Sequence, residues 1–192
     1  MGFTRAELES FRDAEVPDLL PAHGTPLRLL FVGINPGLWT AATATHFAHP
    51  GNRFYPALLR GGVVDRRIDP AAGMTDADRD HLRSRGIGIT NVVRRATAKA
   101  SDLTSEELRA GGAELADLVR RAHPAVVAIA GITAYRTAFG VPRATPGRQP
   151  EPFEGAALWV VPNPSGLNAH ETVESLAAAY AEPARAAGVA AG

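Results

Sequence analysis

Two asparagines stand at the places in this chain where a ligand site is most easily built. Asn35 follows the apolar run at residues 27–32 in "LRLLFVGINPG", and Asn163 follows a second apolar run in "LWVVPNPSGLN". Each is followed by a proline, and neither place holds a carboxylate or a histidine. An amide donates and accepts hydrogen bonds, but it does not take up a proton as a base does. Taken singly, each asparagine is typical of a turn, because Asn-Pro starts turns well.

Other kinds of catalytic site are disfavoured. The segment "GINPG" lacks the spacing of a dinucleotide-binding loop and the Lys-Ser/Thr of a P-loop, so no nucleotide cofactor is expected. Ser165 is near His170 in the sequence, but it does not lie in a G-x-S-x-G elbow. The 6 histidines form no H-E-x-x-H pair and the chain has no cysteine, so the sequence predicts no metal site, disulfide or thiolate nucleophile.

Alternating strands and helices must position the two asparagines. Apolar runs predict strands at residues 27–32, 86–93, 125–131 and 157–161, and helical patterns lie between and after them. This order predicts an α/β fold: a single three-layer domain whose central, mostly parallel sheet of four to five strands is flanked by helices. Ligands of such folds bind at the carboxyl ends of the strands, where both Asn-Pro turns would lie.

The clearest helix runs from Thr104 to Ala122. Thr104 and Glu107 form a capping box, and leucines on either side of the cap are spaced as a hydrophobic staple requires. Gly111 and Gly112 interrupt this helix, and each is expected to weaken it by about 1 kcal/mol.

Composition limits the class of protein. The 192 residues fit one domain with a core at about 27–182, a short N-terminal helical extension and an Ala/Gly-rich C-terminal tail. No run approaches the roughly 18 apolar residues of a membrane-spanning helix, and the first residues lack a signal-peptide pattern. We therefore expect a soluble cytoplasmic protein with no membrane partner. The net charge of +0 argues against a general polyanion binder, although Lys99 is the one lysine among 20 cationic side chains.

Three segments taken together carry a resemblance. "GINPG", "FAHPGNRFY" and "NPSGLN", in this order, closely resemble the mismatch-specific uracil and thymine DNA glycosylases, the Mug/TDG branch of the uracil-DNA glycosylase superfamily. "LRAGGAELADLV" and "VVAIAG" extend the resemblance over about residues 27–182. It implies a hydrolase of the bond between a damaged or mismatched base and deoxyribose in double-stranded DNA. It also implies a monomer of a bacterial-type cell that acts at the nucleoid and needs no metal or cofactor.

The resemblance assigns roles around the first turn. Asn35 matches the asparagine that positions the attacking water, which an amide orients without strongly activating. Gly33, Ile34 and Gly37 match backbone that binds the edge of the base, and Phe47 matches the aromatic residue that stacks on the flipped base.

The second turn matches the loop that enters the duplex when the nucleotide is flipped out. Leu167 is the expected wedge. Contacts to DNA are expected from Asn163, Ser165, Gly166 and Asn168. The spacing of Asn168 and Glu171 also predicts the cap of the following helix, whose N-terminus would then lie beside DNA phosphates.

The sequence departs from the family pattern at several places. Ala169 and His170 stand where an arginine often follows the wedge, which puts strict mismatch preference in question. Asn91 stands where a basic residue near the pocket would fit the family. Trp39 and Thr40 are bulkier than the small residues expected there, and we expect them to narrow the pocket against the methyl group of thymine.

Several alternatives stay open. The candidate bases are uracil, thymine, ethenocytosine, hypoxanthine and xanthine. A binding-only lesion sensor and a small-molecule α/β protein are the alternatives to a glycosylase. No lysine lies in the three motifs, so a lyase step is not expected. Arg53, Arg94 and Arg95 are candidates for phosphate contacts, as well as ordinary surface charges.

Overall fold

The computed structural model describes residues 2–190 and is built on a five-stranded sheet. The strands are β1 (Leu29–Gly33), β2 (Ile87–Asn91), β3 (Val126–Ala130), β4 (Gly147–Arg148) and β5 (Ala157–Val161). Their spatial order is β2-β1-β3-β5-β4. The four long strands are parallel, and the short β4 is antiparallel to β5. The predicted α/β fold with a mostly parallel sheet is confirmed.

Helices cover both faces of the sheet. They are α1 (Arg5–Glu9), α2 (Leu38–Thr43), α3 (Phe54–Arg60), α4 (Asp76–Ser84), α5 (Ser105–Ala122), α6 (Ile132–Phe139) and α7 (Val173–Ala186). Alternate residues of β1 face opposite layers, as the period of a strand requires. Phe31 packs in the cluster that includes Phe54 and Tyr180, whereas Leu30 and Val32 pack in the cluster under α5 and α6.

The predicted capping box of α5 is present, and the two glycines of this helix have a packing role that the sequence did not indicate. Thr104 Oγ1 accepts a hydrogen bond from the Glu107 N–H at 3.1 Å. A Cβ on Gly112 would lie 2.9 Å from the carbonyl oxygen of Ala138. A Cβ on Gly111 would overlap the carbonyl oxygen of Val92, the residue that follows β2. The two glycines therefore let α5 pack closely against its neighbours, a benefit that the propensity argument misses.

The first strand is shifted from its predicted bounds, and two helices were not predicted. β1 begins at Leu29. The apolar pattern starts two residues earlier because the side chain of Leu27 is buried, although Leu27 lies outside the strand. The two helices that were not predicted are α2 and α4. α4 has a capping box at Thr75 and Asp78 that signals its start, but only one of its side chains is fully buried, so it lacks an apolar stripe.

The N-terminal helix α1 has no buried residue, but the segment between α1 and β1 packs on the sheet. Leu19 exchanges two backbone hydrogen bonds with Ile89, at 2.9 and 2.7 Å, and so covers the outer edge of β2. At the other end Val189 is buried, and residues 191–192 of the predicted tail lie outside the described residues. In the described part of the chain, no helix combines the length and apolar character needed to cross a membrane.

Candidate active site

A cavity of about 490 Å³ opens where the four parallel strands end. Residues at or just beyond the ends of β1, β2, β3 and β5 all contribute to its wall. Nine of the ten predicted site residues line it: Gly33, Ile34, Asn35, Gly37, Phe47, Asn163, Ser165, Gly166 and Leu167. The tenth, Asn168, does not. The fold therefore brings both Asn-Pro turns to one cavity, as the sheet rule predicts.

The side chain of Asn35 is held by its nitrogen. Nδ2 donates to the carbonyl oxygens of Arg95 at 3.0 Å and Pro36 at 3.1 Å, and to Thr97 Oγ1 at 2.7 Å. Carbonyl oxygens only accept, so the orientation of the amide follows from its neighbours. Thr97 Oγ1 in turn donates to the Lys99 carbonyl at 2.7 Å. Asn35 Oδ1 makes no hydrogen bond within residues 2–190, and it is free to accept one from a water in the cavity.

Phe47 is held as one side of the cavity by aromatic packing. Its ring stacks on Phe54, with centroids 4.1 Å apart and planes 25° from parallel. Its backbone has a φ of 56°, a left-handed conformation that few aromatic residues adopt. Tyr55 Oη donates to the His46 carbonyl at 3.0 Å, and burial raises the pKa of that phenol. The residues around Phe47 thus hold a strained backbone in place, so that the ring lines the cavity.

Asn91 adds an acceptor that the sequence analysis did not assign. His46 Nε2 donates to the Pro17 carbonyl at 3.0 Å, which leaves Nδ1 to accept from Asn91 Nδ2 at 3.1 Å. Burial lowers the pKa of His46 and so favours the neutral ring. Asn91 Oδ1 is turned toward Gly33, where a Cβ would lie 2.5 Å from it. The amide oxygen therefore stands at the wall of the cavity.

Gly33, Ile34 and Gly37 were predicted to bind a base through their backbone. The carbonyl oxygens of Gly33 and Ile34 accept hydrogen bonds at 2.9 Å from the N–H groups of Val92 and Val93. Because these carbonyl oxygens already accept hydrogen bonds, the groups that this turn can offer to a base are its backbone N–H groups. Gly33 also has a packing role, whereas a Cβ on Gly37 would meet nothing within 4 Å.

The second turn uses its asparagine differently. Asn163 Oδ1 accepts a hydrogen bond from the Ser165 N–H at 3.1 Å, and Asn168 Nδ2 donates to the Asn163 carbonyl at 3.1 Å. These bonds shape a compact loop. At its tip Leu167 is 88% exposed, the largest exposure among the large hydrophobic side chains described. Leu167 is therefore fully accessible at the rim of the cavity that it also lines.

The predicted cap of the last helix is wrong. α7 begins after Thr172, whose Oγ1 accepts from the Ser175 N–H at 3.1 Å. Asn168 cannot cap this helix, because its side chain is bound within the preceding loop. Glu171 instead accepts a hydrogen bond from Ser175 Oγ at 2.6 Å. The helix N-terminus therefore lies farther along the chain from Leu167 than the spacing predicted.

A sequence model of the uracil DNA glycosylase superfamily matches residues 21–183. This match includes both Asn-Pro turns and all of the sheet. The chain belongs to the uracil DNA glycosylase superfamily. Membership implies a DNA glycosylase, a hydrolase of DNA repair whose partner is DNA. The cavity at the strand ends is accordingly the candidate active site of this glycosylase.

Two parts of the glycosylase cavity were missed by the sequence analysis. α1 contributes Arg5, Leu8 and Glu9, and the segment after β2 contributes Lys99 to the wall. The only lysine of the chain therefore lies in the cavity, although it lies in no motif. No local signal marks α1 as part of the site, because its position depends on pairing between distant backbone groups of Ala14 and Ala96.

The three arginines considered as DNA contacts of the glycosylase all have partners within the protein. Arg94 pairs with Asp18 at 3.3 Å, and Arg95 pairs with Glu107 at 2.7 Å. Arg53 donates to backbone carbonyls of the loop that carries Leu167. Among residues 2–190, no three His, Asp or Glu side chains are grouped to bind a metal ion.

Proposed function

We propose that the chain is a mismatch-specific uracil-DNA glycosylase of the Mug/TDG type. It hydrolyses the N-glycosidic bond of uracil opposite guanine in duplex DNA, acting as a monomer. The observation that carries the proposal is the orientation of Asn35. Its three hydrogen bonds through Nδ2 leave Oδ1 as an acceptor in the cavity.

The proposed reaction uses Asn35 Oδ1 to hold a water against C1′ of an extruded nucleotide. An amide oxygen orients this water but does not remove its proton, so general-base help worth about 100- to 10,000-fold is largely absent. The weak nucleophile suffices because the C1′–N bond breaks as the sugar becomes cation-like. The water oxygen then bonds to C1′, and the proton that it loses passes to the departing base anion or to solvent. N–H groups of the Gly33–Gly37 turn stabilise charge on the departing base. We therefore expect slow turnover.

Asn91 supports a preference among bases. Its Oδ1 accepts a hydrogen bond from a ring N–H, which uracil and thymine carry at N3. Cytosine has an acceptor at that position, and ethenocytosine has no proton there, so both are disfavoured. Phe47 stacks on the base, a contact worth about 1–3 kcal/mol.

Trp39 supports discrimination against thymine. Its Nε1 donates to the Ala71 carbonyl at 2.9 Å, so the ring is held in place where it lines the cavity. An indole held in this position would clash with the methyl group of thymine. Comparable release of thymine and uracil from G mismatches would refute this role.

Leu167 is the proposed wedge. The nucleotide must leave the stack before Asn35 can reach its sugar, at a cost of a few kcal/mol that is smaller at a mismatch. An apolar side chain inserted between base steps replaces part of the lost stacking. Preference for G·U over A·U then follows without a contact to guanine.

The test is base release, scored after alkali cleavage, on a panel of DNA substrates. The panel contains uracil, thymine, ethenocytosine, hypoxanthine or xanthine opposite guanine, A·U, and uracil in single strands. We expect the fastest release from G·U. Asn35→Ala should lose at least about 100-fold of the rate, because the water is no longer positioned, while its affinity for mismatched DNA is retained. Equal rates for the two proteins would contradict the proposal, and binding without any release would identify a lesion sensor.

A second candidate keeps the fold and changes the base to hypoxanthine or xanthine. The cavity of about 490 Å³ is not restricted to the size of a pyrimidine. Both purines carry a ring N–H that Asn91 Oδ1 can accept. Faster release of either than of uracil on the same panel would establish this alternative.

The proposal of a monofunctional enzyme is tested separately. Lys99 lines the cavity, and a lyase step would require its amine to form a Schiff base with the abasic sugar. Reduction with borohydride during turnover should trap no protein–DNA adduct. An adduct that disappears in Lys99→Arg would show a lyase.

A further inference from the structure

One arginine joins the two halves of the proposed site. The stacking segment (residues 46–55) carries Phe47, and the insertion loop (residues 163–171) carries Leu167. Arg53 belongs to the stacking segment, but its guanidinium points into the insertion loop. The two segments are more than a hundred positions apart along the chain.

The contacts of Arg53 run along most of the insertion loop. Nη2 donates to the carbonyl oxygens of Ser165 at 2.6 Å and Asn168 at 2.7 Å, and Nη1 donates to the carbonyl oxygen of Glu171. The backbone N–H of Arg53 donates to the Pro164 carbonyl at 3.0 Å. One residue thus binds four carbonyl groups of a single loop.

The chemistry of arginine suits this arrangement. Its planar guanidinium presents donors in several directions at once, which an ammonium group cannot reproduce with the same geometry. Arg53 forms no ion pair among the described residues. Its charge is stabilised by carbonyl groups, and charge-assisted hydrogen bonds of this kind are the strong ones.

Close backbone packing joins the same two segments independently. A Cβ on Gly166 would lie 2.6 Å from the carbonyl oxygen of Gly51, so the insertion loop rests directly on the stacking segment. Phe54, the residue after Arg53, forms the stack that holds Phe47. The wedge and the base-stacking ring are therefore fixed to one another through neighbouring residues.

We propose that Arg53 is a positioning residue for nucleotide extrusion. It holds the insertion loop in the shape that presents Leu167 to solvent before DNA binds, and it ties that loop to the ring that receives the base. A loop shaped in advance loses less conformational freedom on binding. The inference rests on the proposed function, because it assumes that Leu167 enters the duplex.

The test compares Arg53→Lys with wild type in single-turnover release of uracil. Substrates are a G·U duplex, an A·U duplex and a single strand, from which nothing has to be extruded. We expect the duplex rates to fall by about 10-fold or more relative to the single-strand rate, with A·U affected most. Arg60→Lys is the matched control, since Arg60 is an exposed arginine of α3 whose side chain makes no hydrogen bond within residues 2–190.

A double mutant tests whether Arg53 and Leu167 act in the same step. Leu167→Ala should show the same selective loss on duplexes, and Arg53→Lys combined with Leu167→Ala should lose little more than Leu167→Ala alone. Equal loss on single strands and duplexes would show a merely structural role and overturn the inference. Unchanged rates on every substrate would overturn it as well.

Two further measurements keep the inference testable. If Arg53→Lys does not fold, Gly166→Ala retains the arginine but displaces the loop from Gly51, and it should show the same selective loss.

If wild type releases no base from any substrate, single strands included, the proposed chemistry fails. Extrusion is then followed by the fluorescence of 2-aminopurine next to a mismatch. A signal that wild type and Arg53→Lys share would overturn the role of Arg53, and a signal confined to wild type would support it.

Discussion

The two Asn-Pro turns of this glycosylase use opposite ends of the same amide. At Asn35 the protein binds the nitrogen, and the oxygen is left as an acceptor in the cavity. At Asn163 the protein binds the oxygen, which accepts from the Ser165 N–H and closes a turn. Equivalent dipeptides after parallel strands therefore differ in chemistry, and only the first is placed to position a water.

The difference arises from how far away the partners lie. Asn163 is bound by a backbone group two positions later, within its own turn. Asn35 is bound by Arg95 and Thr97, which lie 60 and 62 positions later on the segment that follows β2. A local bond makes a turn, whereas the distant bonds hold the side chain in a direction that a turn alone would not impose.

The largest expected effect comes from the same substitution made in both turns. In Asn35→Asp a carboxylate faces two carbonyl oxygens to which it cannot donate, so the side chain should turn away. Because the water is then misplaced, single-turnover release should fall by at least about 100-fold. Asn163→Asp keeps the acceptor for Ser165, and at saturating enzyme it should lose only a few-fold. Equal losses would refute the comparison, and a faster Asn35→Asp enzyme would show that a base is used at this position.

A second pair compares two glycines of the first turn. In Gly33→Ala the new methyl group would lie 2.5 Å from Asn91 Oδ1 and 3.2 Å from the ring of Phe47, so base binding should weaken by about 10- to 100-fold. Gly37→Ala meets nothing within 4 Å and should bind almost as wild type does. Affinity for DNA with a non-hydrolysable uridine analogue measures both. Similar losses would contradict the packing role of Gly33.

Thr97→Val tests one of the three bonds to Asn35. Valine has nearly the shape of threonine but cannot accept from Nδ2, so the rate at saturation should fall by about 10-fold with little change in DNA affinity. In the second turn, Ser165→Ala keeps the backbone N–H that binds Asn163 and removes only the hydroxyl that accepts from the Leu167 N–H at 3.3 Å, so it should affect affinity more than rate. A Thr97→Val enzyme with the wild-type rate would show that the two carbonyl contacts suffice.

The smallest effect concerns His46, the buried histidine that binds Asn91. Burial lowers the pKa of His46 in the folded state, so below about pH 6.5 the unfolded chain binds a proton that the folded chain excludes. The free energy of unfolding should therefore fall as the pH falls through this range, by at most about 1.4 kcal/mol per pH unit. Urea unfolding from pH 5 to 8 should show a weaker slope for His46→Gln than for wild type. An unchanged slope in His46→Gln would assign the effect elsewhere.

Much of the fold was predictable because its signals are local. The capping box at Thr104 and Glu107 involves residues three positions apart, and buried strands appear as apolar runs. α2 is short and α4 is polar, so neither produces a periodic stripe long enough to detect. Gly111 and Gly112 look unfavourable in isolation, and only their neighbours reveal that the helix needs them there.

The candidate site shows the same difference between local signals and distant partners. The sequence by itself determined which residues follow the strands, and the strand-end rule then placed nine of the ten chosen residues around one cavity. Only the tertiary structure decided which atom of Asn35 the protein binds, that Asn91 Nδ2 donates to His46, and that Arg53 points into the insertion loop. Periodicity and turn propensity depend on neighbours along the chain, whereas the direction of a polar side chain depends on partners that the sheet register brings from far away.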